Sequence, residues 1–109
     1  MLNELKHELF KSLGKHFPEA RIESKEKRGI VLTLRAYVRD DIFIEVYCNI
    51  LTGKKSFALI IRDTRISGYD NFKYWHYHPP YKPDKHIACE EPTIDYMISS
   101  FKDIIGKNL

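Results

Sequence analysis

Cysteine is scarce in this chain. Its two cysteines, Cys48 and Cys89, lie 41 positions apart and form no CxxC pair, so the sequence carries no disulfide framework. Cys48 falls in a hydrophobic strand pattern, where a small buried thiol is expected. Long apolar runs are missing too. The longest, Phe57 to Ile61, has five residues, against the roughly 18 a membrane span requires. The start, "MLNELKHELFKSLGKHF", scatters charges and offers no small-residue cleavage site, so a secretion signal is not expected. A reduced, cytoplasmic protein with no membrane partner is the expectation. Glycine-rich phosphate loops are absent as well: "LTGKK" holds one glycine and reads as a hairpin turn. No GxSxG or HExxH occurs, and no cofactor is expected.

The 109 residues suffice for one hydrophobic core and are too few for two. With 43% hydrophobic and 30% charged residues, the composition is that of an ordinary globular domain. A net charge of +3 and a pI near 8.8 permit nucleic acid as a partner without demanding it.

Residues 2 to 16 predict an amphipathic helix. Leu2, Leu5, Leu9 and Leu13 recur at spacings of three and four, Phe10 and Phe17 widen the stripe, and Pro18 ends it. From Ala20 the period changes to two. "ARIESKEK" reads as a charged edge strand. "GIVLTLRAYV" and "IFIEVYCNI" alternate apolar and polar residues, with a tight turn at Asp40 and Asp41 between them. "SFALIIRD" is a nearly continuous apolar strand suited to the middle of a sheet. "RISGYDNFKYWHYH" reads as the last extended segment, and Pro79, Pro80 and Pro83 forbid regular structure to about residue 85. Thr93 is the expected N-cap of a second helix that buries Ile94, Met97, Ile98, Phe101, Ile104 and Ile105 and stops at Gly106. The expected fold is α+β: an antiparallel five-stranded meander with both helices on its apolar face, in the order α-β-β-β-β-β-α. Arg35, Tyr37, Glu45, Tyr47 and Asn49 would share the other face. That face is either merely solvated, with tyrosines for strand propensity, or a surface for a partner.

The stretch "YDNFKYWHYHPP" concentrates chemistry. If residues 69 to 78 stay extended, His76 and His78 share a face, with Asp70 and Tyr74 further back. Imidazoles so placed suit metal-free RNA cleavage, in which one group takes the 2′-hydroxyl proton and another protonates the leaving 5′-oxygen. A second use is metal binding by His76, His78, His86 and Cys89, in the spacing H-x-H-x7-H-x2-C. That would require the proline loop to fold back, and the sequence shows no outer hydrogen-bond pattern for such ligands; no tightly bound zinc is expected. A third is passive binding, with Tyr74, Trp75 and Tyr77 stacking on bases. The plainest reading makes Trp75 a packing anchor and the histidines surface residues.

"RISGYDNFKYWHYHPPYKPDKHIACEEPTIDYMI" resembles the carboxy-terminal signature of the TumE-like toxins of toxin–antitoxin systems. The most specific elements are Tyr69-Asp70-Asn71, His76, His78-Pro79 and His86, and the resemblance covers roughly residues 30 to 105. It implies a single toxin domain silenced by a helix-turn-helix antitoxin. With the acid-base chemistry above, the expected function is a metal-independent endoribonuclease acting on mRNA or tRNA. His76 and His78 would transfer protons, with His86 in reserve, and Tyr69 and Asp70 would orient them. Arg35, Tyr37, Arg65, Trp75 and His86 are the expected RNA contacts, with Arg35 or Arg65 on the phosphate. The other reading is a non-catalytic module whose aromatic, basic sheet face binds RNA or protein. An antitoxin or a second copy of the chain is expected to cover part of that face.

Overall fold

In the computed structural model, which describes residues 1–82 and 84–108, two helices pack on one face of a seven-stranded antiparallel sheet. The elements are α1 (Leu2–His16), β1 (Arg21–Lys27), β2 (Val31–Arg39), β3 (Ile42–Asn49), β4 (Lys54–Ile61), β5 (Thr64–Asp70), β6 (His76–His78), β7 (Ile87–Ala88) and α2 (Ile94–Asn108). Spatial order equals chain order, so the sheet is a meander closed by short connections. Two of these are tight turns at consecutive positive-φ residues, Arg28-Gly29 and Arg62-Asp63.

The alternation in the sequence sets the faces. Leu32, Leu34 and Ala36 on β2, Ile42, Ile44, Val46 and Cys48 on β3, and Phe57 and Leu59 on β4 form a buried layer. Leu9 and Leu13 of α1 and Met97, Ile98 and Phe101 of α2 close over it. Burial also pushes the Cys48 thiol up to about 11, which leaves it inert. The helices are stitched together at Asp95, whose carboxylate accepts from Ser12 Oγ at 3.0 Å and meets His16 Nε2 at 2.9 Å.

Three expectations need correction. The strands number seven, not five, because the segment from Arg65 to His78 is not one strand. Asn71 breaks it: its side chain accepts from Lys55 N–H and donates to Gly53 O, both at 2.7 Å, and anchors a turn that folds β6 back onto β5. A two-residue β7 then adds beyond β6. The second helix is capped by Thr93, whose Oγ1 accepts from Tyr96 N–H at 3.1 Å, but it runs through Gly106 rather than stopping there. Phe10 is exposed on α1 instead of widening its buried stripe. Of the three prolines expected to bar regular structure, Pro79 and Pro80 lie outside any strand or helix, and Pro83 is outside the described residues.

Candidate functional site

The fold-back between β5 and β6 builds the site. In the register Asp70 pairs with His76 and Gly68 with His78, so period two places Asp70, His76 and His78 together on the face the helices leave uncovered. All three are buried. Asp70 is the hub. Its Oδ1 lies 3.0 Å from His76 Nε2 and its Oδ2 lies 3.0 Å from His78 Nε2. Phe72 N–H donates to Oδ1 at 3.1 Å, which also fixes the start of the turn. Burial alone would raise this carboxyl, but the His78 hydrogen bond, the Phe72 N–H and the nearby imidazoles hold it below the usual carboxylate value.

Arg65 reaches the same hub from β5, with Nη2 3.6 Å from Asp70 Oδ2. Gly68 makes room for it, because a Cβ there would stand 2.7 Å from both the guanidinium and the Phe57 carbonyl. Arg65 Nε and Nη2 are buried and, among the described residues, donate no hydrogen bond, Nη2 having only its longer ion pair with Asp70.

The chain leading into β7 returns His86 to the cluster. Its ring centroid lies 4.8 Å from that of His76 and 4.6 Å from that of His78, while the latter two are 4.9 Å apart. One ligating atom from each of the three histidines falls within 4.8 Å of the others. The loop therefore folds back as the four-ligand spacing required, but it delivers only three of the four. Cys89 instead lines a groove against α2 with Tyr69 and Tyr96, on the helix side of the sheet. His76 also has the outer hydrogen bond that the sequence does not reveal, from Nδ1 to Tyr74 O at 2.9 Å.

The cleft over these groups measures about 450 Å³ and is rimmed by Phe72, Lys73 and Tyr74. Phe72 and Tyr74 are exposed, and the Tyr74 ring meets His76 edge-on at 5.4 Å. Sequence reasoning gives these turn residues no site role beyond stacking by Tyr74. The Asp-Asn pair ahead of them is the available signal, since that dipeptide favours a turn and a turn tip stands over its own hairpin.

Tyr69 is not part of the site. It points to the helix side, stacks with Tyr77 at 4.9 Å and donates to Ser100 Oγ at 3.1 Å. Burial pushes its phenol up to about 12. Tyr77 and the half-buried Trp75 pack against the core, so of the expected stacking residues only Tyr74 rims the cleft. Arg35 and Tyr37 do lie on the open face, but far away. Arg35 Nε donates to Glu45 at 2.9 Å and its guanidinium covers the Phe43 ring, while Arg21 stacks on Tyr37. Four strand-to-strand steps separate β2 from β6, roughly 19 Å at the usual spacing. Arg35 and His78 cannot hold one phosphate between them.

Set against protein-family models, curated proteins and solved structures, the chain matches none. The site's chemistry alone therefore carries the functional reading. Among the described residues no helix is long and apolar enough to cross a membrane.

Proposed function

We propose that this chain is a toxin of the TumE-like kind and acts as an endoribonuclease that needs no metal, on mRNA or tRNA, under the control of a helix-turn-helix antitoxin. The observation that carries the reading is the Asp70 carboxylate held between two imidazoles at 3.0 Å each, with Arg65 alongside, on the uncovered face. Asp70 orients the rings and would stabilise an imidazolium, as a buried aspartate does for a histidine base elsewhere. His76, with Nδ1 on the Tyr74 carbonyl and Nε2 on Asp70, must release one of these bonds before it exchanges a proton with RNA.

The step needs two proton-transfer groups. One ring takes the proton of the ribose 2′-hydroxyl as that oxygen attacks phosphorus. The bond from phosphorus to the 5′-oxygen breaks, and a second group protonates the departing oxygen. The products are a 2′,3′-cyclic phosphate and a 5′-hydroxyl. The Arg65 guanidinium, ion-paired with Asp70 but making no hydrogen bond through Nε or Nη2 among the described residues, would suit phosphate oxygens once the cleft opens to them. The three rings touch one another, so no phosphate fits between them as they stand. His86 is exposed on a loop, and it is the ring with room to swing to the far side of a bound phosphate. It therefore joins His76 and His78 as a proton-transfer group rather than only an RNA contact.

The test combines a His76→Gln, His78→Gln double variant with an RNA carrying one 2′-deoxy nucleotide at the cleaved position. Cleavage should vanish in both cases, the variant should keep RNA affinity and its circular dichroism, and chelator should not slow the parent. Cleavage of the deoxy-substituted RNA would refute the 2′-hydroxyl step. An unchanged rate in the double variant would refute the assignment of His76 and His78, and RNA binding without cleavage by the parent would leave the binding-module reading.

A further inference from the structure

We infer that His76, His78 and His86 form a binding site for a divalent transition-metal ion of the Zn2+ class, and that the ion, when bound, silences the site. The first part stands on geometry alone; the silencing rests on the ribonuclease reading.

Asp70 holds two of the three imidazoles, His76 and His78, and the third, His86, is brought against both. Here they come from two separate segments, β6 and the chain before β7, and one ligating atom from each lies within 4.8 Å of the other two. Nitrogens bound to one Zn2+ at 2.0–2.1 Å sit roughly 3.4 Å apart. His76 and His78 are fixed by burial, whereas His86 is exposed and has freedom to turn toward them.

The surroundings fit an ion as well. His76 turns Nδ1 to the Tyr74 carbonyl at 2.9 Å. That outer bond is the one metal-bound histidines commonly make, and an ion would ligate Nε2 by displacing the proton that Nε2 now shares with Asp70. Asp70 stands 3.0 Å from both Nε2 atoms and supplies negative charge, which offsets the nearby Arg65 cation. Three imidazoles beside a carboxylate form a borderline donor set, suited to Zn2+, Cu2+ or Ni2+ and poor for Mg2+ or Ca2+. A bound ion occupies the ring nitrogens that proton transfer requires, so metal occupancy and acid-base cleavage exclude each other.

The experiment uses the full chain, stripped with chelator and titrated with Co2+ alone while visible absorption is followed. The expected result is saturation at one equivalent, with the visible bands of a nitrogen-rich site. Zn2+ should displace the Co2+, and Mg2+ should not. His86→Ala should weaken binding by more than about tenfold, beyond the lower end of what losing an outer partner alone costs. That residue is exposed, so its loss spares the fold. Cys89→Ser should bind as the parent does. No saturable binding, or full affinity in His86→Ala, overturns the site. In a parallel RNA assay, one equivalent of Zn2+ should stop cleavage and chelator should restore it; cleavage that rises with Zn2+ overturns the silencing. A protein that binds Co2+ through His86 yet cuts no RNA keeps the site and loses the ribonuclease. One that cuts RNA but binds no Co2+ does the reverse.

Discussion

Tyr69 and Asp70 are neighbours in the chain and serve opposite faces of the sheet. Strand alternation alone forbids both from orienting the same histidine, a constraint already legible in their adjacent numbers. Asp70, His76 and His78 fall on one face as expected, because even spacing survives the fold-back of the hairpin. The Tyr69 hydroxyl serves the core instead, through its bond to Ser100. Tyr69→Phe should therefore leave RNA cleavage unchanged and cost about 1 kcal/mol of stability, the usual worth of one such hydrogen bond. Burial raises this phenol to about 12, from about 10 in the unfolded chain. Its contribution is then fully present below the unfolded value and lost as pH rises through the folded one. Chemical denaturation across that alkaline window should show the parent losing stability more steeply than Tyr69→Phe. Equal slopes would mean that Tyr69 is not the group responsible.

At the scale of elements, both helices, β2 and β3 follow from the change of apolar period from 3.6 to 2, β4 from its continuous apolar run, and β1 only weakly, as a charged edge. The failure at β5 to β7 has a physical cause. β6 and β7 are three and two residues long, too short for any periodicity to register. The turn that creates them depends on Asn71 reaching across to Gly53 and Lys55, a contact distant in sequence. The docking of α1 on α2 is equally hidden, resting on Asp95 with Ser12, His16 and Lys15. The His16 hydrogen bond, followed by that from Ser12, holds the Asp95 carboxyl below its usual value. A depressed carboxyl stabilises the fold above its unfolded pKa and loses that effect as pH falls through the folded one. Asp95→Asn should thus lower the neutral melting temperature modestly and flatten the acid limb of the thermal stability profile below about pH 4, where the two proteins converge. A variant that keeps the parent's acid limb would place the sensitivity elsewhere.

Across the whole molecule the sheet is a partition. Two helices bury one face, and the other runs uncovered from the β1–β2 edge, with Arg21, Arg35 and Tyr37, to the histidine cleft on β6. The sequence reveals that such a face exists, but not which of its residues stand near the chemistry, because distance across a sheet is set by strand order. That order separates two arginines which the sequence treats as interchangeable. Arg65 abuts Asp70 with buried N–H groups to give, while Arg35, three strands away, is engaged by Glu45. Their substitutions should divide cleanly. On the ribonuclease reading, Arg65→Ala would remove a donor to the reacting phosphate and should lower kcat by on the order of a hundredfold. Arg35→Ala should leave kcat at saturating RNA intact, weaken affinity, and reduce the salt dependence of binding by about one phosphate contact. Single-turnover cleavage rates beside salt-titrated binding give both quantities. If Arg35→Ala slows the saturated rate as much as Arg65→Ala does, the reacting phosphate lies over the middle of the sheet, and the histidine cleft is not where RNA is cut.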